Sequence, residues 1–132
     1  MPEATTAIRG KRILFVDDEQ ALAALGEELL GDSGAHVVCA FSGPQALDLY
    51  HQHAGRFDLV VTDESMPGMS GIELAQELFQ VAPELPVILC SGHLLSMDDE
   101  GIDGTNIRDV LAKTDVFFKL PFIIEEMFPA GD

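Results

Sequence analysis

Short, almost wholly apolar runs recur along the chain: RILFV at 12–16, VVCAF at 37–41, LVVT at 59–62 and PVILC at 86–90, each followed by a longer segment of mixed polarity. Runs this short without polar alternation suit strands buried on both faces. Strands that alternate with helices build a parallel sheet flanked by helices. Between the runs the helix signals are specific. Leu22, Leu25, Leu29 and Leu30 stand at helical spacing over 20–30, and Gly31 and Gly34 punctuate the end. Ser42-Gly43-Pro44-Gln45 reads as a capping box with proline in the first turn of a helix reaching about His51. After a Met66-Pro67-Gly68 turn, Ser70 and Glu73 form a second capping box for a helix that ends before Pro83.

Beyond Ser91 the pattern predicts a loop over 93–105, a helix over 106–113, a fifth strand over 116–120 and a short helix over 122–128. Right-handed crossovers leave few topologies. The expected fold is α/β: a flavodoxin-like, doubly wound, five-stranded parallel sheet in the order 2-1-3-4-5 with helices on both faces. Ligands in such a sheet sit beyond the carboxyl ends of strands 1 and 3. The expected domain is 11–128, between a flexible tail at 1–10 and a short one at 129–132.

At 132 residues, 47% of them hydrophobic, the chain has the size and apolar content of one domain with a real core. Twenty-three acidic against seven basic residues give a formal charge of -16, which opposes binding to nucleic acid or an anionic membrane and favours protein or cation partners. Cys39 and Cys90 both lie inside apolar runs, as buried thiols of a reduced compartment do. The opening MPEATTAIRGKR has no apolar signal core, and no stretch approaches the roughly 20 apolar residues of a membrane span, so a cytoplasmic location is expected.

The chemistry lies at two strand ends. Asp17 and Asp18 follow ILFV directly, and Asp63 follows LVVT. Strands 1 and 3 are neighbours in the expected order, so the carboxylates converge in one crevice. Unpaired they repel, and a divalent cation is the natural compensation; a few hard oxygen ligands with room for water suit Mg2+. The plainer alternative is that Asp17 and Asp18 only cap the helix that follows them.

The full constellation is VDDE after strand 1, TDESMPGMSG after strand 3, the Ser91 hydroxyl ending strand 4, and Lys119 near Pro121-Phe122. It closely resembles the CheY-like receiver domain of two-component response regulators, over roughly 11–128, and the ILCSGH run is similar to receivers of hybrid sensor kinases. The resemblance implies that Asp63 is the phosphoacceptor. It also implies that Asp18, Asp63 and the backbone carbonyl of Ser65 hold Mg2+, with Asp17 acting through a water. Ser91, Lys119 and Phe117 would form the phosphate-binding and switch set, and Ser65 and His93 would tune dephosphorylation. Implied partners are a histidine kinase or phosphotransfer protein and a downstream protein target, with homodimerisation possible. The chain would then be a signalling phosphoacceptor that assists its own reactions rather than an enzyme. With no output domain after residue 128, it would act by docking, unless it is a fragment.

Three departures stand out. The family places lysine immediately before proline, whereas here Leu120 intervenes between Lys119 and Pro121. Either a bulge restores Lys119 to the site or Leu120 takes its place, because a one-residue shift reverses the facing of a strand. The stretch from Ser91 to Lys119 is longer than the family pattern around Asp98, Asp99 and Glu100, which are better solvated than metal-binding, and the last helix is short. The displaced Lys119 and the altered loop favour one rival, a pseudo-receiver that binds proteins without being phosphorylated. A second rival, an aspartyl-phosphate phosphatase, needs an aspartate two residues after its nucleophile, where this chain has Ser65 or Glu19. His36, His51 and His53 have surface or packing positions.

Overall fold

A computed structural model describes residues 8–92 and 101–128. Strands β1 (Arg12–Val16), β2 (His36–Ala40), β3 (Leu59–Asp63), β4 (Val87–Ser91) and β5 (Ile107–Ala112) form a parallel sheet in the order β2-β1-β3-β4-β5. The helices are α1 (Gln20–Asp32), α2 (Gly43–Gln52), α3 (Gly71–Val81) and α4 (Val116–Met127).

Alternation along the central strands divides the core in two. Leu14, Val16, Val60, Val87 and Leu89 face the α2–α3 side with Ala46, Leu74 and Leu78. Ile13, Phe15, Leu59, Val61, Ile88 and Cys90 face the α1–α4 side with Ala23, Leu30, Leu120 and Ile124. Because both faces are covered, β3 and β4 are buried at every position. The sheet thus holds the carboxyl ends of β1 and β3 side by side, with Val16 opposite Thr62.

Both expected caps form, with one difference. Ser70 and Glu73 make the reciprocal capping box of α3. Ser42 accepts from the Gln45 amide at 3.2 Å, but the Gln45 side chain accepts from the Phe41 amide at 2.7 Å, one residue before the cap.

The last third corrects the expected assignment. Residues 107–112 are a strand, not a helix, and 116–127 are one continuous helix, not a strand and a short helix. Ile107, Val110 and Leu111 stand at i, i+3 and i+4, which imitates a helix. The imitation arises because β5 is an edge strand with a register shift: Val87 pairs with Ile107 but Ile88 pairs with Asp109. In α4 the buried residues Val116, Leu120 and Ile124 recur every fourth position, and the helix runs on through Pro121, although proline is disfavoured in a helix interior. At the other end, Ile8 is only 1% exposed and Gly10 donates to the Gly34 carbonyl at 2.9 Å. The packed body therefore reaches back to Ile8, past the expected start at residue 11. His93, Asp98, Asp99 and Glu100 lie outside the described residues.

Candidate functional site

Asp63 is the last residue of β3 and is 3% exposed; Asp17 follows β1 and is 5% exposed. The Asp17 amide continues the ladder by donating to Ala40 at 3.0 Å, so the backbone fixes where the side chain departs. Asp17 Oδ1 then accepts from the Glu19 amide at 2.9 Å, and Asp63 Oδ1 accepts from the Ser65 amide at 3.4 Å. Asp18 is exposed at the rim. One carboxylate oxygen from each of Asp17, Asp18 and Asp63 lies within 4.8 Å of the others, a group that can hold a metal ion. The donors are all hard oxygens. That is the chemistry of Mg2+ rather than of a thiolate-bound metal, and the thiol of Cys90, the register partner of Asp63, is pushed up to about 12 by burial and by Asp63 and Asp17.

The cation in this crevice is Lys113. Its backbone amide donates to the Ser91 carbonyl at 2.9 Å, just beyond the end of β5. Its ammonium lies 3.1 Å from Glu19 Oε1, 3.4 Å from Asp63 Oδ2 and 3.7 Å from Asp17 Oδ2. Burial works to lower the Lys113 pKa, but the Glu19 hydrogen bond and the charges of Asp17 and Asp63 outweigh it, and the net shift is upward. Asp17 is shifted upward, first by burial and also by repulsion from Asp63 and Glu19. Its backbone hydrogen bond and Lys113 offset only part of this.

Lys119 is not in the crevice. It stands on α4 with its side chain 54% exposed, and its ammonium is 3.7 Å from Asp115. Neither a bulge nor Leu120 bears on the site, since 116–127 is helical and Leu120 is buried under that helix. Phe117 is also on α4, not on the fifth strand; its ring stacks on Phe15 with centroids 5.9 Å apart. No aromatic residue occurs in β5, whose sequence is IRDVLA. Phe117 and Lys113 border a cavity of about 20 Å3 between Phe15 and Asp63, room for about one water.

Ser91 ends β4, is 3% exposed and lies one residue past Cys90, the register partner of Asp63. Ser65 is exposed two residues beyond Asp63. Glu64 turns away from the crevice: its Oε1 accepts from the Ile72 amide at 2.8 Å at the start of α3, and burial raises its pKa. Gly71 lets that helix approach closely, since a Cβ there would collide with the Asp63 carbonyl oxygen and come within 2.7 Å of Leu89. His36 and His51 are exposed, and half-buried His53 contacts Arg12 and Phe57, so these three pack or face solvent as expected. Both cysteines are free thiols, Cys90 buried and Cys39 only half-buried. Among the described residues no helix is long and apolar enough to cross a membrane.

Comparison with known proteins gives a consistent result. The family model of the response regulator receiver domain matches residues 13–118. The two-component response regulator ARR12 of Arabidopsis thaliana is 39% identical over 84 residues, covering 64% of this chain and 14% of its own length. The sensor histidine kinase GacS of Pseudomonas protegens is 32% identical over 117 residues, covering 85% of this chain and 12% of its own length. The chain therefore spans only a small part of these curated relatives. Among solved structures, the response regulator TrrA of Thermotoga maritima, in complex with Mg2+-BeF, superposes with a TM-score of 0.79 at 30% identity, covering 89% of this chain and 99% of that one.

Proposed function

This chain belongs to the response regulator receiver domain family, and on that premise we propose that it accepts a phosphoryl group on Asp63 from a phosphohistidine of a histidine kinase or phosphotransfer protein. The observation that carries this reading is the meeting of Asp17, Asp18 and Asp63 within 4.8 Å, with the Lys113 ammonium 3.4 Å from Asp63.

In this reading an Asp63 oxygen attacks phosphorus in line. The O–P bond forms as the P–N bond breaks, and the imidazole leaves with the electron pair. Asp18, Asp63 and the Ser65 carbonyl would hold Mg2+, with Asp17 acting through a water. The ion, when bound, supplies positive charge against the equatorial phosphoryl oxygens. Lys113, 3.4 Å from Asp63, would do the same, the role that the resemblance implied for Lys119. The Ser91 hydroxyl would donate to a phosphoryl oxygen, and its movement would alter the protein-binding face. An in-line water resets the acyl phosphate to Asp63 and inorganic phosphate. Without an aromatic residue on β5, the switch proceeds without a strand-borne ring, and Phe117 acts as part of the α1–α4 core. A downstream protein would read the change.

Of the two features favouring a pseudo-receiver, the displaced Lys119 is answered in this reading by Lys113, and residues 93–100 of the altered loop lie outside the described residues. Acetyl phosphate with Mg2+, read by intact mass, is expected to add one phosphoryl group to the wild type and none to Asp63→Asn. Modification of both proteins would reassign the acceptor, and modification of neither would favour the pseudo-receiver.

A further inference from the structure

Lys113 has a partner that belongs to neither the metal cluster nor the acceptor. Glu19 is the N-cap residue of α1, and its backbone amide already donates to Asp17 at 2.9 Å. Its side chain reaches across the crevice mouth to place Oε1 3.1 Å from the Lys113 ammonium, nearer than Asp63 at 3.4 Å or Asp17 at 3.7 Å. The three partners differ in burial. The Asp17 and Asp63 side chains are 7% and 2% exposed, whereas Glu19 is 61% exposed and Lys113 is 25% exposed.

This arrangement divides the lysine's interactions by function. Asp17 and Asp63 belong to the carboxylate group that a cation would occupy, and a bound cation would draw their charge away from Lys113. Glu19 lies outside that group and keeps its full charge. It therefore becomes the main partner of the ammonium at the moment an anionic donor arrives. An ammonium held at the rim by a carboxylate is partly neutralised, and it must leave that carboxylate to meet a phosphoryl oxygen. The hold is weak enough to break, because solvent and salt screen an exposed pair.

We propose that Glu19 is a positioning residue: it holds Lys113 at the mouth of the crevice, and phosphoryl transfer to Asp63 proceeds against that hold. The inference rests on the phosphoacceptor reading given above and adds a restraint on its rate.

The test is a double-mutant cycle on the whole chain with acetyl phosphate and Mg2+, following phosphorylation by intact mass at several donor and salt concentrations. Glu19→Gln is expected to raise the rate about two- to fivefold, the range set by the strength of an exposed ion pair, and high salt is expected to shrink the gain. In a Lys113→Ala background the same substitution is expected to change nothing. A gain of equal size in that background would overturn the inference, because Glu19 would then act on the donor directly. A slower Glu19→Gln protein would overturn it as well. A second readout needs no phosphodonor: the side-chain 15N resonance of Lys113, recorded with saturating Mg2+, should move in Glu19→Gln. An unmoved resonance rejects the pairing even if phosphorylation proceeds. A moved resonance in a chain that takes up no phosphoryl group would keep the pairing, reject the restraint on transfer and reject the phosphoacceptor reading with it.

Discussion

The acidic and cationic sides of the crevice are built differently. Asp17 and Asp63 issue from β1 and β3, interior strands paired on both edges, and are 5% and 3% exposed. Lys113 issues from the end of β5, an edge strand whose register shifts between Val87 and Ile88, and it shares its ammonium among three carboxylates. The acids are held by packing, and the base is held by charge. A site assembled this way keeps its acceptor and metal ligands in place while leaving the neutralising group free to change partners.

The packed side should be the costlier to disturb. At Gly71 a methyl group would meet the Asp63 carbonyl oxygen and Leu89, so either α3 or the end of β3 must shift. Gly71→Ala is expected to cost about 2 kcal/mol in chemical denaturation, the scale of an overpacked core. Lys113→Ala should cost less than Gly71→Ala by the same measurement: its pair with exposed Glu19 contributes little, and the buried Asp17 and Asp63 it leaves can take up a proton or a cation in its place. Equal losses would show that Lys113 is a structural element and erase the distinction between the two sides.

Asp17 tests the cost of the packed acids. Its folded pKa is raised above the ordinary value of 3.8, with burial the largest cause. A carboxyl group of that kind contributes stability that is fully present below its unfolded pKa and is lost as pH rises through its folded pKa. Metal-free protein above that folded pKa has lost that contribution. Asp17→Asn, which can still accept from the Glu19 amide, is expected to stabilise the metal-free chain at neutral pH by about 1 kcal/mol. The corresponding rise in Tm is about 3 °C. Its stability should also fall less than that of the wild type between acid and neutral pH. Mg2+ should raise the Tm of the wild type more than that of the variant, because it binds only the folded state. A variant less stable than the wild type at neutral pH would mean that Asp17 is already compensated.

The same division governs what could be read in the sequence. The interior strands announce themselves because both faces are apolar, and ILFV, LVVT and VILC leave no other period to fit; hence Asp17, Asp18, Asp63 and Ser91 are placed correctly. The edge announces itself poorly. Half-exposed β5 carries Arg108 and Asp109 among its apolar residues, and with the register shift Ile107, Val110 and Leu111 take on helical spacing. Meanwhile VFFKL, rich in aromatic and branched residues and followed by a proline, imitates a strand. The expected lysine goes astray with the expected strand: Lys119 lies on α4, and Lys113 follows β5. The signal that could have found Lys113 is Val116, Leu120 and Ile124, a four-residue period that makes 116–127 a helix and pushes the fifth strand upstream.

The smallest expected effect is therefore the sharpest check on that reassignment. Lys119 lies one helical turn after Asp115, an arrangement worth about 0.3 to 0.5 kcal/mol at an exposed site. Lys119→Ala should lower stability by no more than that, and salt should remove the difference. Phosphorylation by acetyl phosphate should be unchanged, whereas Lys113→Ala should slow it on the order of a hundredfold, the scale of losing one group that neutralises transition-state charge. The two lysines thus predict opposite results in one assay. If Lys119→Ala slowed the reaction while Lys113→Ala did not, residues 116–120 would have to be the strand after all, and the cation would belong to the packed side of the site rather than to its adjustable edge.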